Sequence, residues 1–270
     1  MENPTVCLIC NNPPTVPCPG CAQLLYSSDA CLDADAPSHR LLCPAFASAA
    51  QPEEGPDNNN DDNSGVKNSD GGGVLAILFP ADAAKPELVR VSVVRFRDED
   101  TGISFQEAGT DEFFHDDSGN ATAPQTLHSE RNRVRNRENR GMLEVWHLKD
   151  GGPANACVRS LGRIDAAGSG TDGGGPFYEW KGPVLVMAMT RPTGFMVDPG
   201  AYRDAEPQDF RDALDFVLDY GNDVHGKRLK EALDTLGAEN PDRQGGADGG
   251  GGEKGQGDKA QSGGVVIEME

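Results

Sequence analysis

Residues 7–43 read CLICNNPPTVPCPGCAQLLYSSDACLDADAPSHRLLC and hold six of the seven cysteines of the chain. Two Cys-x2-Cys pairs are formed by Cys7, Cys10, Cys18 and Cys21. Each pair can place two sulfurs on one tetrahedral metal ion. Farther along, His39 and Cys43 are four residues apart, which puts an imidazole and a thiolate on the same face of a helix. The pattern predicts a small metal-stabilised finger at the start of the chain.

A disulfide framework is the alternative for so many cysteines. The opening MENPTV has neither the basic nor the apolar region of a secretory signal. We therefore expect an intracellular protein, in the nucleus or the cytoplasm, whose reduced cysteines bind Zn²⁺. No apolar run approaches the roughly 18 residues of a membrane span, so we expect no membrane contact.

The order of the ligands, with Tyr26 and Cys31 between the two pairs and the His39-x3-Cys43 motif, resembles the MYND-type zinc finger. In that family two zinc ions are bound by interleaved pairs of ligands. The resemblance implies a first zinc site made of Cys7, Cys10 and Cys31. It implies a second, complete site made of Cys18, Cys21, His39 and Cys43. It covers residues 7–43 only.

Three positions depart from the family pattern. Ser27 stands where the family has a cysteine, and a serine hydroxyl is a poorer zinc ligand than a thiolate. The fourth position of the first site is then filled by water or by a carboxylate such as Asp29, or the site is weak or empty. Leu32 and Ala36 replace the glutamine and tryptophan of the groove in which the family docks proline-rich peptides. We therefore expect that mode of peptide binding to be weak or absent.

Composition sets the organisation of the remaining chain. With 24 basic and 44 acidic residues, the net charge of the 270 residues is −20, which opposes binding to nucleic acid over most of the surface. The domain limits that we predict are a finger at 1–47, a disordered acidic linker at 48–73, an α+β domain of unknown function at 74–236 and a disordered glycine-rich tail at 237–270.

Within residues 74–236 the hydrophobic pattern predicts strands followed by C-terminal helices. The predicted strands are VLAILFP from residue 74, 87–97 with a β-bulge at Val94, 142–150, 156–164 and a central strand at 184–189. The predicted helices run from Pro207 to Gly221 and from 225 to 236. Phrases such as LEVWH and WKGPVLVM resemble the tract that follows the finger in fungal MYND-type proteins, which implies no activity. We expect chelation to unfold the finger and to leave this domain largely intact.

The function that we expect is a zinc-binding scaffold for contact with other proteins, with regulation of transcription or development as a candidate role. We expect no enzyme, because none of the G-x-S-x-G, G-K-[ST] and H-E-x-x-H motifs is present. An unrecognised enzyme within 74–236 stays open as an alternative. A second alternative is nucleic-acid binding through the five arginines between Arg131 and Arg140. Those arginines could equally be solvated and paired with the acidic residues of the chain.

Overall fold

The computed structural model describes residues 6–50, 73–97, 102–115, 122–149, 152–169, 176–192 and 200–222. Most of the predicted linker, the predicted helix at 225–236 and the predicted tail at 237–270 lie outside the described residues. The finger and the strands and helices that follow it form one compact unit of mixed α+β structure, as the fold class predicts.

The finger consists of a short antiparallel hairpin and two helices. These elements are β1 (Val16–Pro17), β2 (Leu25–Tyr26), α1 (Asp29–His39) and α2 (Cys43–Ala49). The side-chain oxygen of Ser28 accepts the N–H of Cys31 and so caps the start of α1. Pro44 lies in the first turn of α2, where a missing N–H costs no hydrogen bond.

The rest of the described chain forms an antiparallel sheet, a separate hairpin and two helices. The elements are β3 (Val74–Phe79), β4 (Glu87–Val91), β5 (Val93–Arg97), β6 (Ser104–Ala108), β7 (Gln125–Asn132), β8 (Arg137–Leu148), α3 (Ala156–Ser169), β9 (Lys181–Met189), β10 (Tyr202–Arg203) and α4 (Pro207–Asp219). The main sheet has the order β4-β3-β9-β8-β7, with β10 also paired to β9, whereas β5 pairs with β6 alone. The apolar run at 184–189 thus lies in the centre of the sheet, which confirms its prediction.

Each face of the main sheet is covered by a different set of residues. On one face, Phe79, Val145 and Val186 pack against buried residues of α3 and α4. On the other face, Met187 and Met142 pack with Phe114 of the loop that follows β6. Strand β9 is buried on both sides, and this explains why its sequence is continuously apolar instead of alternating.

The prediction of a strand at 156–164 is wrong, because these residues form the first part of α3. Cys157, Val158 and Leu161 are buried and recur at helical spacing on the side that faces the sheet. The side-chain oxygen of Asn155 accepts the N–H of Val158 at 2.8 Å and caps the helix. Tertiary packing and this cap outweigh the β-propensity of the valine.

The predicted single strand at 87–97 is also wrong, because the chain leaves the main sheet at Ser92. Strand β4 pairs with β3, and β5 turns away to pair with β6. The change of phase at Val94 therefore marks a change of sheet instead of a bulge, and the Val94 side chain is 63% exposed.

The helix predicted from Pro207 is confirmed as α4. Proline occupies its first position, and the carboxylate of Asp209 accepts the N–H of Glu206 at 2.8 Å. Gly221 follows the helix with φ of +85°, a backbone conformation that glycine adopts without strain. Among the described residues, no helix combines the length and the apolar composition that crossing a membrane would need.

The finger shares its core with the α+β domain. Leu42 and Phe46, at the start and in the middle of the α2 region, are each 2% exposed and belong to the same hydrophobic cluster as Phe210 and Leu214 of α4. The side-chain amide of Asn11 donates to the backbone oxygen of Arg135 at 2.7 Å. The finger is therefore anchored on the domain at more than one point.

Candidate metal centre

Four predicted ligands come together between the β1–β2 hairpin, the end of α1 and the start of α2. The donor atoms of Cys18, Cys21, His39 and Cys43 all lie within 4.8 Å of one another, and all four residues are buried. Cys18 Sγ is 3.8 Å from Cys43 Sγ and 3.3 Å from His39 Nε2. A tetrahedron with metal–sulfur bonds of about 2.3 Å has sulfur–sulfur edges of about 3.8 Å. The geometry of this second site fits zinc.

A tight turn brings the sulfur atoms of Cys18 and Cys21 into the same cluster. Ala22 adopts φ of +57°, and its N–H donates to the backbone oxygen of Cys18 at 3.0 Å. A side chain at Gly20 would place a Cβ 2.6 Å from Cys43 Sγ, so only glycine leaves room for that sulfur. The geometry of the site thus requires glycine at position 20.

The crowding of these donors favours a cation between them. Burial, together with the hydrogen bond to Cys18, raises the pKa of the Cys43 thiol to about 12. Burial lowers the pKa of His39 and favours the neutral imidazole, which is the form that binds zinc. Thiolates packed this closely without a cation would repel one another, and a bound zinc ion removes that repulsion.

The first site contains three thiols. Cys7, Cys10 and Cys31 also lie within 4.8 Å of one another, with Cys7 buried and Cys10 exposed. Asn11 follows the first pair with φ of +63°, and its N–H donates to the backbone oxygen of Cys7 at 3.0 Å. Both predicted clusters therefore form, at opposite ends of helix α1.

Ser27 lies directly on this three-thiol cluster. Its Oγ is 3.0 Å from Cys10 Sγ and 3.4 Å from Cys31 Sγ. Asp29, the carboxylate nearest in sequence, is not among the donors that cluster within 4.8 Å of one another. The serine at the position where the family pattern has a cysteine therefore contacts two of the three thiols.

Helix α1 links the two clusters to the α+β domain through a buried carboxylate. Cys31, Asp35 and His39 are four residues apart and share one face of the helix. Asp35 is 1% exposed and accepts the hydroxyl of Tyr26 at 2.6 Å. Its other oxygen lies 3.5 Å from Nη1 of Arg211, in α4. Sequence reasoning missed Asp35, although the spacing of four from both metal ligands was a signal for it.

The arginines between 131 and 140 are engaged within the protein. Arg137 forms a bidentate ion pair with Asp212 of α4, and both side chains are buried. Arg135 pairs with Asp215 at 3.1 Å, and Arg140 pairs with Glu206. The side-chain amide of Asn132 donates to Asp212 and to Asp215 of α4 and completes the network. Arg131 also lies 3.6 Å from Glu138, so four of the five arginines of the predicted nucleic-acid patch face acidic residues of the chain.

Three further side chains of the α+β domain, those of His147, Cys157 and Trp146, occupy packing positions. His147 is buried, packs edge-on against Trp180 with ring centroids 5.1 Å apart, and has Nδ1 3.0 Å from the backbone oxygen of Leu148. Cys157 is fully buried in the core, and Trp146 donates to Glu144 at 3.1 Å.

A cavity of about 240 Å³ lies beside the start of α3, near Trp180. The polar groups of Trp180 in its wall already bond to the backbone, with Nε1 donating to Val217.

Comparison with known proteins agrees with this geometry. Residues 7–43 match the family model of the MYND finger. No curated protein and no solved structure matches the chain. A MYND finger is a zinc-binding, non-enzymatic module of protein interaction, so the chain carries such a module at residues 7–43.

Proposed function

We propose that this is an intracellular, non-enzymatic zinc protein, of the nucleus or the cytoplasm, whose finger presents a surface to another protein in a regulatory role. The observation that carries the proposal is the convergence of seven cysteine and histidine donors into two clusters inside a matched MYND finger. Residues of the first cluster, Cys7, Cys10 and Cys31, would hold one zinc ion. Those of the second, Cys18, Cys21, His39 and Cys43, would hold the other.

Zinc supplies structural cross-links between segments that are too short to fold alone. The chain uses them to fix α1, because Cys31 at its start belongs to one cluster and His39 at its end to the other. The fixed helix presents Asp35 to Arg211, and α2 inserts Phe46 into the shared core. The result is a finger surface with a defined orientation on the α+β domain.

The partner surface that we propose differs from the peptide groove of the family. Leu32 packs partly against the core of the finger, and neither it nor Ala36 offers the amide or indole of that groove. The hairpin instead exposes Leu25, which is 37% accessible. The exposed leucine offers an apolar contact to a folded protein surface, where full burial of a side chain of this size contributes about 1.5–3 kcal/mol.

Quantitative affinity capture from the native cell tests the proposal. The bait is the full chain, compared with Cys43→Ala, which removes a ligand of the second cluster, and with Leu25→Ser, which changes the exposed hairpin. Cys157→Ala is the matched control, because it removes a cysteine that lies in neither cluster. We expect one set of proteins to be retained by the wild type and the control and lost from both other variants. An identical set on all four baits would contradict the proposal.

Binding to nucleic acid is not part of the proposal. Arg135, Arg137 and Arg140 would have to leave carboxylate partners before they could contact phosphate. The net charge of −20 would also repel a polyanion. A steeply salt-dependent retention on DNA or RNA would overturn this view.

A further inference from the structure

The backbone holds Ser27 firmly against the first cluster. Ser27 follows β2 directly, and the neighbouring strand fixes it, because the N–H of Thr15 donates to the oxygen of Tyr26 at 2.7 Å. The hydroxyl of Thr15 also donates to the oxygen of Ser27 itself at 3.2 Å. The next residue, Ser28, is the cap of α1. These contacts fix the backbone of Ser27 beside the cluster, and in the rotamer that the structure shows the hydroxyl faces Cys10 and Cys31.

The hydroxyl stands where a fourth ligand would be needed. In a tetrahedral zinc site with bonds of about 2.3 Å to sulfur and about 2.1 Å to oxygen, the sulfur–oxygen edge is about 3.6 Å. Ser27 Oγ lies 3.0 Å from Cys10 Sγ and 3.4 Å from Cys31 Sγ, so a small outward shift meets this geometry. The hydroxyl thus lies against two of the three clustered thiols, at distances close to those of a shared zinc shell.

Resting on the ligand assignment proposed above, we infer that Ser27 Oγ is the fourth donor of the first zinc site. The site is closed by the chain itself, and neither Asp29 nor a free water completes it. Because a neutral hydroxyl brings no charge, the shell of the first site carries one negative charge fewer than a four-cysteine shell. The hydroxyl is also a weaker donor than a thiolate.

The consequence is a site whose zinc exchanges faster than that of the second site. Cys10 is exposed, so solvent and competing ligands reach the first cluster from that side. All four ligands of the second cluster are buried. The finger thus combines one permanent structural ion with one exchangeable ion.

The test replaces zinc by ¹¹³Cd in the full chain, because the cadmium resonance reports the number of sulfur, nitrogen and oxygen donors. We expect two resonances in the wild type, one typical of three sulfurs with one nitrogen and one typical of three sulfurs with one oxygen. Ser27→Cys should move only the second of these, to the range of four sulfurs. Ser27→Ala should weaken metal binding at the first site, because it removes the fourth donor and leaves three thiolates. Asp29→Asn is the matched control and should change neither.

The outcomes separate this inference from the proposed function. If Ser27→Cys leaves both resonances in place, or if Asp29→Asn moves the first-site resonance, Ser27 is not the donor and the inference fails while the second site stands. If the wild type gives no resonance with sulfur donors at all, the ligand assignment itself fails. Ser27→Cys adds a ligand instead of removing one, so the test holds even if Ser27→Ala does not fold.

Discussion

Replacing Asp35 by asparagine should destabilise the α+β domain, although Asp35 lies in the finger. The substitution keeps the shape of the side chain and removes the charge that faces Arg211. Asp35 and Arg211 have side-chain exposures of only 2% and 3%. Without the Asp35 carboxylate, the positive charge of Arg211 is only partly neutralised, in a site that water does not reach.

The magnitude follows from the geometry of the pair. Loss of one partner from a buried ion pair costs about 3–5 kcal/mol. We expect about 3 kcal/mol, the low end, because Arg211 also pairs with Asp215 and its contact with Asp35 is 3.5 Å long. With a denaturant dependence of about 2–3 kcal/mol per molar urea, the midpoint of unfolding should fall by about 1–1.5 M.

The assay uses fluorescence, because both tryptophans of the chain, Trp146 and Trp180, lie in the α+β domain. Urea unfolding of the zinc-loaded wild type, Asp35→Asn and the exposed control Asp33→Asn is followed with and without a chelator. Chelation should lower the tryptophan midpoint of the wild type, and this effect should be smaller in Asp35→Asn because one link is already cut. A midpoint that responds neither to chelation nor to Asp35→Asn would refute the coupling of finger and domain.

The remaining predictions concern the arginine network, pH and peptide binding. Arg137→Leu should lower the free energy of unfolding in urea by about 3–5 kcal/mol, because it leaves the buried carboxylate of Asp212 without its partner. Arg140→Ala should lower it by less than about 1 kcal/mol, because that ion pair is exposed. Equal losses in the two variants would count against the network. Burial raises the pKa of Asp215, but the charges of neighbouring arginines outweigh it and keep that pKa below its ordinary value. The stability that this carboxylate adds is therefore present above its unfolded pKa of about 3.9 and is lost as the pH falls through the lower folded value, so Asp215→Asn should flatten the acid limb of a stability–pH curve. In calorimetry, a P-x-L-x-P peptide should not bind the wild type with micromolar affinity. The double variant Leu32→Gln, Ala36→Trp should bind the peptide more tightly than the wild type does. Tight binding by the wild type would contradict this prediction.

The finger could be predicted from sequence because its information is local. Metal ligands at spacings of two and three residues define the geometry of a site without reference to the rest of the chain. The same holds for the start of α4, where Pro207 marks the first helical position, and for the apolar run of β9. The signals in these cases lie within one element.

The errors came from features that depend on distant partners. Val158 favours a strand by propensity, but its burial against the sheet and the cap by Asn155 place it in α3. Ser92 gives no signal that β4 and β5 belong to different sheets. The contact of Asp35 with Arg211 joins residues 176 positions apart, so only the folded structure shows it.

That contact also revises the expectation that chelation leaves residues 74–236 intact. The sequence presents the finger as a separate unit, followed by an acidic linker. In the structure, Leu42 and Phe46 of the finger complete the core beneath α4. Truncating a buried phenylalanine commonly costs about 3–5 kcal/mol. Unfolding of the finger should therefore lower the free energy of unfolding of the α+β domain by at least that amount.

Native mass spectrometry of the 270-residue chain tests whether residues 7–43 hold two zinc ions in two defined clusters. We expect two zinc ions on the wild type and on Cys157→Ala. We expect Cys18→Ala to remove the ion of the second cluster and Cys31→Ala to remove the ion of the first, leaving one ion in each case. A wild type without zinc, or zinc counts that these two cluster variants leave unchanged, would contradict it.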